Sequence, residues 1–64
     1  MEYEEFLNAF DKIISNDIFV RIYIDTLSYI SADKFRNTQD NHIYLFYKGL
    51  LIGLIDINIV KKLR

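Results

Sequence analysis

Residues 42–57 read His42-Ile43-Tyr44-Leu45-Phe46-Tyr47-Lys48-Gly49-Leu50-Leu51-Ile52-Gly53-Leu54-Ile55-Asp56-Ile57. The stretch predicts a β-hairpin turning at Lys48-Gly49, since aromatic and β-branched residues flank a glycine suited to positive φ. A strand wet on one face alternates apolar with polar residues, and these two hardly alternate. With a two-residue turn, Tyr47 faces Leu50, Leu45 faces Ile52 and Ile43 faces Leu54, all on one face. Tyr44, Phe46, Leu51, Gly53 and Ile55 fall on the other, with Tyr44 opposite Gly53. Both faces are apolar, so a chain of 64 residues must find cover for each.

Upstream of the hairpin the hydrophobic period changes twice. Tyr3, Phe6, Leu7, Phe10, Ile13 and Ile14 recur at the spacing of one helical stripe, which predicts an amphipathic helix over 2–15. Glu2, Glu4 and Glu5 in its first turn complement the positive end of the helix dipole. Asn16-Asp17 stops it, both residues favouring turns. From Ile18 the period is two: Ile18, Val20, Ile22 and Ile24 share one face, and Phe19, Arg21, Tyr23 and Asp25 the other. That predicts a strand over 18–25. After a turn at Asp25–Ser28 a second strand runs 29–36, and its alternation stumbles at Ala32-Asp33-Lys34, as at a bulge or sharp bend.

Asn37–Asn41 is a polar loop, the hairpin strands span 42–48 and 50–57, and 58–63 forms a short turn or closing strand. The order predicts a single α+β domain over 1–64: an N-terminal amphipathic helix followed by an antiparallel four- to five-stranded meander. It is built either as an open sheet or as a small SH3-like barrel. One helical stripe covers only one hairpin face.

Composition narrows the chemistry. The chain has no cysteine and one histidine, which excludes disulfides and thiolate zinc sites as staples of so small a fold. Its hydrophobic fraction of 52% exceeds what a domain of this size can bury alone, so the surplus predicts self-association. The acidic start, Met1-Glu2-Tyr3-Glu4-Glu5, is unlike a secretory or mitochondrial leader, and the longest apolar run, Leu50 to Ile55, is too short to span a bilayer. The expectation is a cytoplasmic protein with no membrane partner. Isoleucine and asparagine are abundant and proline is absent, as in AT-rich coding sequences of low-GC bacteria, their phages or plasmids.

No catalytic constellation is present. His42 stands beside Asp40 and Asn41, and Asp33 is the acid that the hairpin could bring toward it. A base or metal ligand needs such an organised second group. The serines lie in no nucleophile elbow, and two glycines cannot build a phosphate-cradling loop. Neither an enzyme nor a cofactor is expected. The leading expectation is a homodimeric protein-binding module, a small inhibitor or regulator of phage or mobile-element type such as an anti-CRISPR or other anti-defence or host-takeover protein. Its interface candidates are Tyr44, Phe46, Leu51, Ile55, Phe19 and Tyr23, since Tyr and Phe anchor interface centres.

The alternative is a small-barrel nucleic-acid binder. Its candidates are Tyr47, Lys61, Lys62 and Arg64, with Tyr44 and Phe46 as further stacking groups. Residues 1–17 carry five acids and one base, and residues 18–64 seven bases and four acids, so the sheet region is mildly basic. Against that alternative stands a pI of about 5.6 for the whole chain.

Overall fold

Phe6 and Phe10 lie one helical turn apart, and that spacing decides where the N-terminal segment packs. The computed structural model describes residues 1–64, and helix α1 runs Tyr3–Ile14 within it. Both phenylalanines are buried, and the ring of Phe35 meets them edge-on at 5.0 and 4.8 Å. Ser15 closes the helix: its N–H donates to Asp11 O, and its hydroxyl to Lys12 O at 2.7 Å. No helix is long and apolar enough to cross a membrane.

Six short strands follow. Strand β1 (Val20–Tyr23) begins two residues later than its period predicts, leaving Ile18 79% exposed. The stumble at Ala32-Asp33-Lys34 is a sharp bend, which divides one predicted strand into β2 (Tyr29–Ala32) and β3 (Lys34–Asn37). Asp33 ties that bend to the tip of the hairpin. Its N–H donates to Phe46 O at 2.9 Å, and its Oδ2 accepts from the Lys48 N–H at 3.0 Å.

Strands β4 (His42–Tyr47) and β5 (Leu50–Asp56) form the hairpin. A 3-10 turn (Ile57–Ile59) follows, its first orphan donor held where the Asn58 N–H donates to Asp56 Oδ1 at 2.8 Å. Strand β6 (Lys62–Leu63) closes the order.

The strands make two open antiparallel sheets, β2-β1-β6 and β3-β4-β5, and no barrel closes. Their inner faces enclose the core. Val20, Ile22 and Ala32 come from the first sheet, Ile43, Leu45 and Ile55 from the second, and Ile57 and Val60 from the connection between β5 and β6. Phe6 and Phe10 cover them from the helix. No polar side chain is buried among them. Full burial of a side chain of this size is worth roughly 1.5–3 kcal/mol, so these few residues supply most of what holds the fold.

The hairpin register departs from the regular one. The turn is as expected, with Lys48 and Gly49 both at positive φ (50° and 81°) and Tyr47 opposite Leu50. At the other end, the Ile57 N–H donates to Asn41 O at 2.9 Å and His42 pairs with Asp56. Those two anchors demand registers one residue apart. A β-bulge between them absorbs the difference, so that Leu45 faces Gly53, Tyr44 faces Leu54 and Ile43 faces Ile55. The regular pairing of Leu45 with Ile52, Ile43 with Leu54 and Tyr44 with Gly53 is therefore corrected. Past the bulge the two faces exchange. Gly53 and Ile55 turn inward, and Ile52 and Leu54 turn outward.

Candidate functional site

The outer face of the β3-β4-β5 sheet is the largest departure from ordinary surface chemistry. Strand β4 places Tyr44 and Phe46 on it, both half-buried. Leu51 and Ile52 together stand opposite Phe46 at the bulge, and Leu54 stands opposite Tyr44. These three residues of β5 are 58%, 42% and 52% exposed. Along the β3 side, Lys34 and Arg36 pair with Phe46 and Tyr44 and border the apolar stripe with two cations.

Strand β5 is also an edge. None of its backbone groups bonds to anything but β4, and six residues pass without a charge until Asp56. Proteins usually blunt such edges with charges, proline or brevity.

The outer face of the β2-β1-β6 sheet is different in kind. Arg21, Tyr23, Tyr29 and Ser31 alternate outward from β1 and β2, and Lys62 adds to them from β6. Arg21 lies over the Phe19 ring at 5.2 Å and near the Tyr29 ring at 5.7 Å. Lys62 sits 4.7 Å above Tyr23, whose ring is 5.0 Å from that of Tyr29. Arg21 and Arg64 exchange both backbone hydrogen bonds, at 2.7 and 2.9 Å, so two cations share one cross-strand position.

The predicted interface residues thus divide. Tyr44, Phe46 and Leu51 share the outer face of the β3-β4-β5 sheet. Tyr23 lies on the opposite sheet with Lys62. Phe19 joins Arg21 and packs edge-on to Tyr47 at 6.4 Å. Ile55 is a correction: at 8% exposed it belongs to the core, because the bulge turned it inward. The nucleic-acid candidates divide as well. Lys62 and Arg64 meet Tyr23 and Arg21, whereas Tyr44 and Phe46 are on the other sheet. Tyr47 sits at the hairpin tip under Lys48 at 5.5 Å. Lys61 immediately precedes β6, its N–H donating to Tyr23 O at 2.8 Å.

Sequence reading missed Ile52 and Leu54 as surface residues, since nothing in the composition of β5 announces a bulge. It also passed over Arg21 and Tyr29. Their outward parity was visible in the period-two pattern, but their junction with Arg64 depended on which strand β6 would choose.

His42 has Asp40 and Thr38 as its polar neighbours. Its Nδ1 is 3.0 Å from Asp40 O and 3.3 Å from Asp40 Oδ1. Asp33 does not approach it, being bonded to Lys48 at the far end of β4. The Thr38 hydroxyl, which donates to the Asp40 carboxylate, holds it below the ordinary carboxylate range, and His42 adds to that. These residues, with Gln39, Tyr44 and Leu54, line a shallow open depression. No group of three or more His, Cys, Asp or Glu is placed to hold a metal ion.

Compared with protein-family models, curated proteins and solved structures, the chain finds no match.

Proposed function

We propose that this chain is a non-enzymatic protein-binding module that self-associates through the β3-β4-β5 sheet. The observation that carries this reading is the pair of properties combined in β5, an open backbone edge and an exposed row of Leu51, Ile52 and Leu54. Tyr44 and Phe46 extend the row into an apolar face rimmed by Lys34 and Arg36. That is the make-up of an interface centre with a charged border. A second copy is the occupant that presents the same apolar surface, and a two-fold axis would let each copy cover the other's row. The core of the monomer is complete without these side chains, so they are available to a partner.

Among roles for such a module, we place it with small inhibitors and regulators carried by phages or mobile elements, anti-defence and host-takeover proteins included. Small size, absence of cysteine and AT-rich residue usage support that placement. Sedimentation of the purified chain tests the association: a dimer is expected at micromolar concentration, and a folded monomer at high micromolar concentration refutes it. Leu51→Lys with Leu54→Lys should yield a folded monomer, and a variant that stays dimeric removes this interface. Capture from a bacterial host extract, with Phe46→Asp as the comparison bait, tests the regulatory role. Retention of the same protein by both baits counts against it.

A further inference from the structure

The geometry points to a single-strand nucleic-acid site on the outer face of the β2-β1-β6 sheet, built from Arg21, Tyr23, Tyr29, Lys62 and Arg64. It does not rest on association through the other sheet, from which it is separated by the core. Three observations converge on it.

The first is a concentration of positive charge that no ion pair offsets. Like charges directly opposite in an antiparallel pair repel, yet Arg21 and Arg64 occupy such a pair, exchanging both backbone bonds. Lys62 stands at the neighbouring position. None of the three has a carboxylate partner, the one ion pair in the chain being His42 with Asp40. Asp17 and Asp25 border the face at its ends. Asp25 is already held by the backbone N–H groups of Leu27 and Ser28, at 2.9 and 2.7 Å. An anion set between the arginines would offset this like-charge pairing.

The second is the position of the rings. Tyr23 and Tyr29 lie on this face between the cations, their centroids 5.0 Å apart and tilted by 47°. Tyr29 is 47% exposed, and neither hydroxyl has a hydrogen-bond partner in the chain. A face that alternates cations with accessible rings offers phosphates and unstacked bases their partners in turn. Arg21 and Lys62 already lie over these rings, in contacts worth little at an exposed site. A base can take the ring while the cation moves to the adjoining phosphate.

The third is the segregation of charge. Helix α1 and its N-terminal flank hold four of the nine acidic residues, Glu2, Glu4, Glu5 and Asp11, and the strands of this sheet hold none. The overall pI of about 5.6 therefore conceals a local field of the opposite sign, and the local field is what a phosphate backbone meets. Rings that alternate with the cations call for bases free to stack, which a duplex keeps paired and a single strand exposes, so a single strand is the ligand.

Fluorescence anisotropy with labelled oligothymidylate, oligouridylate and a matched duplex tests the site. Three phosphate contacts predict that log K falls with log salt at a slope of about −2 for either single strand, with the duplex weaker. Arg21→Gln should reduce that slope by about 0.7. Lys12→Gln, which removes the same charge from the helix, should leave it unchanged.

Tyr29→Ala should weaken binding roughly 5- to 100-fold with the salt slope intact. Tyr29→Leu keeps an apolar side chain, and should weaken binding similarly if Tyr29→Ala does not fold. Absence of binding at low salt, binding indifferent to salt, tighter binding of duplex, or equal effects of Arg21→Gln and Lys12→Gln would each overturn the assignment. A monomeric chain that binds the oligonucleotide would sink self-association and leave this site standing.

Discussion

The two sheets are alike inside and unlike outside. Each has three strands and turns short aliphatic residues toward one shared core: Val20, Ile22 and Ala32 in one, Ile43, Leu45 and Ile55 in the other. On the outside, the β2-β1-β6 sheet follows the ordinary rule, with polar and amphipathic side chains between the strands. Its edges are β2, four residues long, and β6, two residues long and flanked by Lys61 and Arg64; both are short, and β6 is guarded by charge as well. The β3-β4-β5 sheet ends instead on the long apolar edge of β5. Because the inner faces meet the same demand, the need for a core cannot account for the difference. The self-association proposed above is the reading that uses this apolar surplus.

The first way to break this contrast is at the core. Leu45→Ala and Ile22→Ala should each cost about 2–5 kcal/mol, lowering the melting temperature by a comparable amount whichever sheet is cut. Strongly unequal losses would show that the sheets are not equivalent inside. Next comes the outer surface. Leu51→Lys with Leu54→Lys should change the stability of a folded monomer by no more than about 0.5 kcal/mol per site while abolishing association. A large loss in monomer stability by chemical denaturation would mean that the row is structural after all.

Backbone effects sharpen the picture further. Gly49→Ala should cost about 1–2 kcal/mol, since φ at that turn position is 81°. Gly53→Ala should instead stabilise by about 0.4–1 kcal/mol. A Cβ there meets only Ile30 Cδ1 at 3.7 Å and Leu45 Cδ1 at 4.0 Å, both ordinary contacts. Loss of stability in Gly53→Ala would contradict the inward, uncrowded placement of that residue.

The smallest effect is electrostatic. Asp25 is held below the ordinary carboxylate range, by the Leu27 N–H first and the Ser28 N–H next, and Asp40 by the Thr38 hydroxyl. A depressed pKa in the folded state means a contribution present at neutral pH, lost as pH falls through that lowered value. Carboxyl NMR titrations should place both midpoints below the ordinary aspartate range. An ordinary midpoint for Asp25 would mean that its turn is open in solution.

Much of this arrangement was legible in the chain. The helix follows from a single stripe at 3–4 spacing, the hairpin from Lys48-Gly49, and the bend from the broken alternation at Ala32-Asp33-Lys34. Each is a local signal, set by residues within a turn or two of one another. The partition of the hairpin faces was not legible past the turn. It depends on a distant anchor, Asn41 O receiving the Ile57 N–H, and every residue between the anchors is apolar enough to face either way. The first-sheet cluster was hidden for a related reason: Arg21 and Arg64 are 43 positions apart in the sequence, and only the pairing of β6 with β1 joins them. The choice between open sheets and a barrel lay likewise in long-range pairing.

The bulge in β5 can also be regarded as a matter of length. The two anchors of the hairpin would be satisfied by a strand one residue shorter, with Leu51 still opposite Phe46 and Gly53 still opposite Leu45. Deleting Ile52 should thus leave the core untouched and straighten the strand, removing a side chain from the surface alone. The hairpin carries one residue more than its architecture requires, and a lineage free of any need for that surface could shed it in a single in-frame deletion.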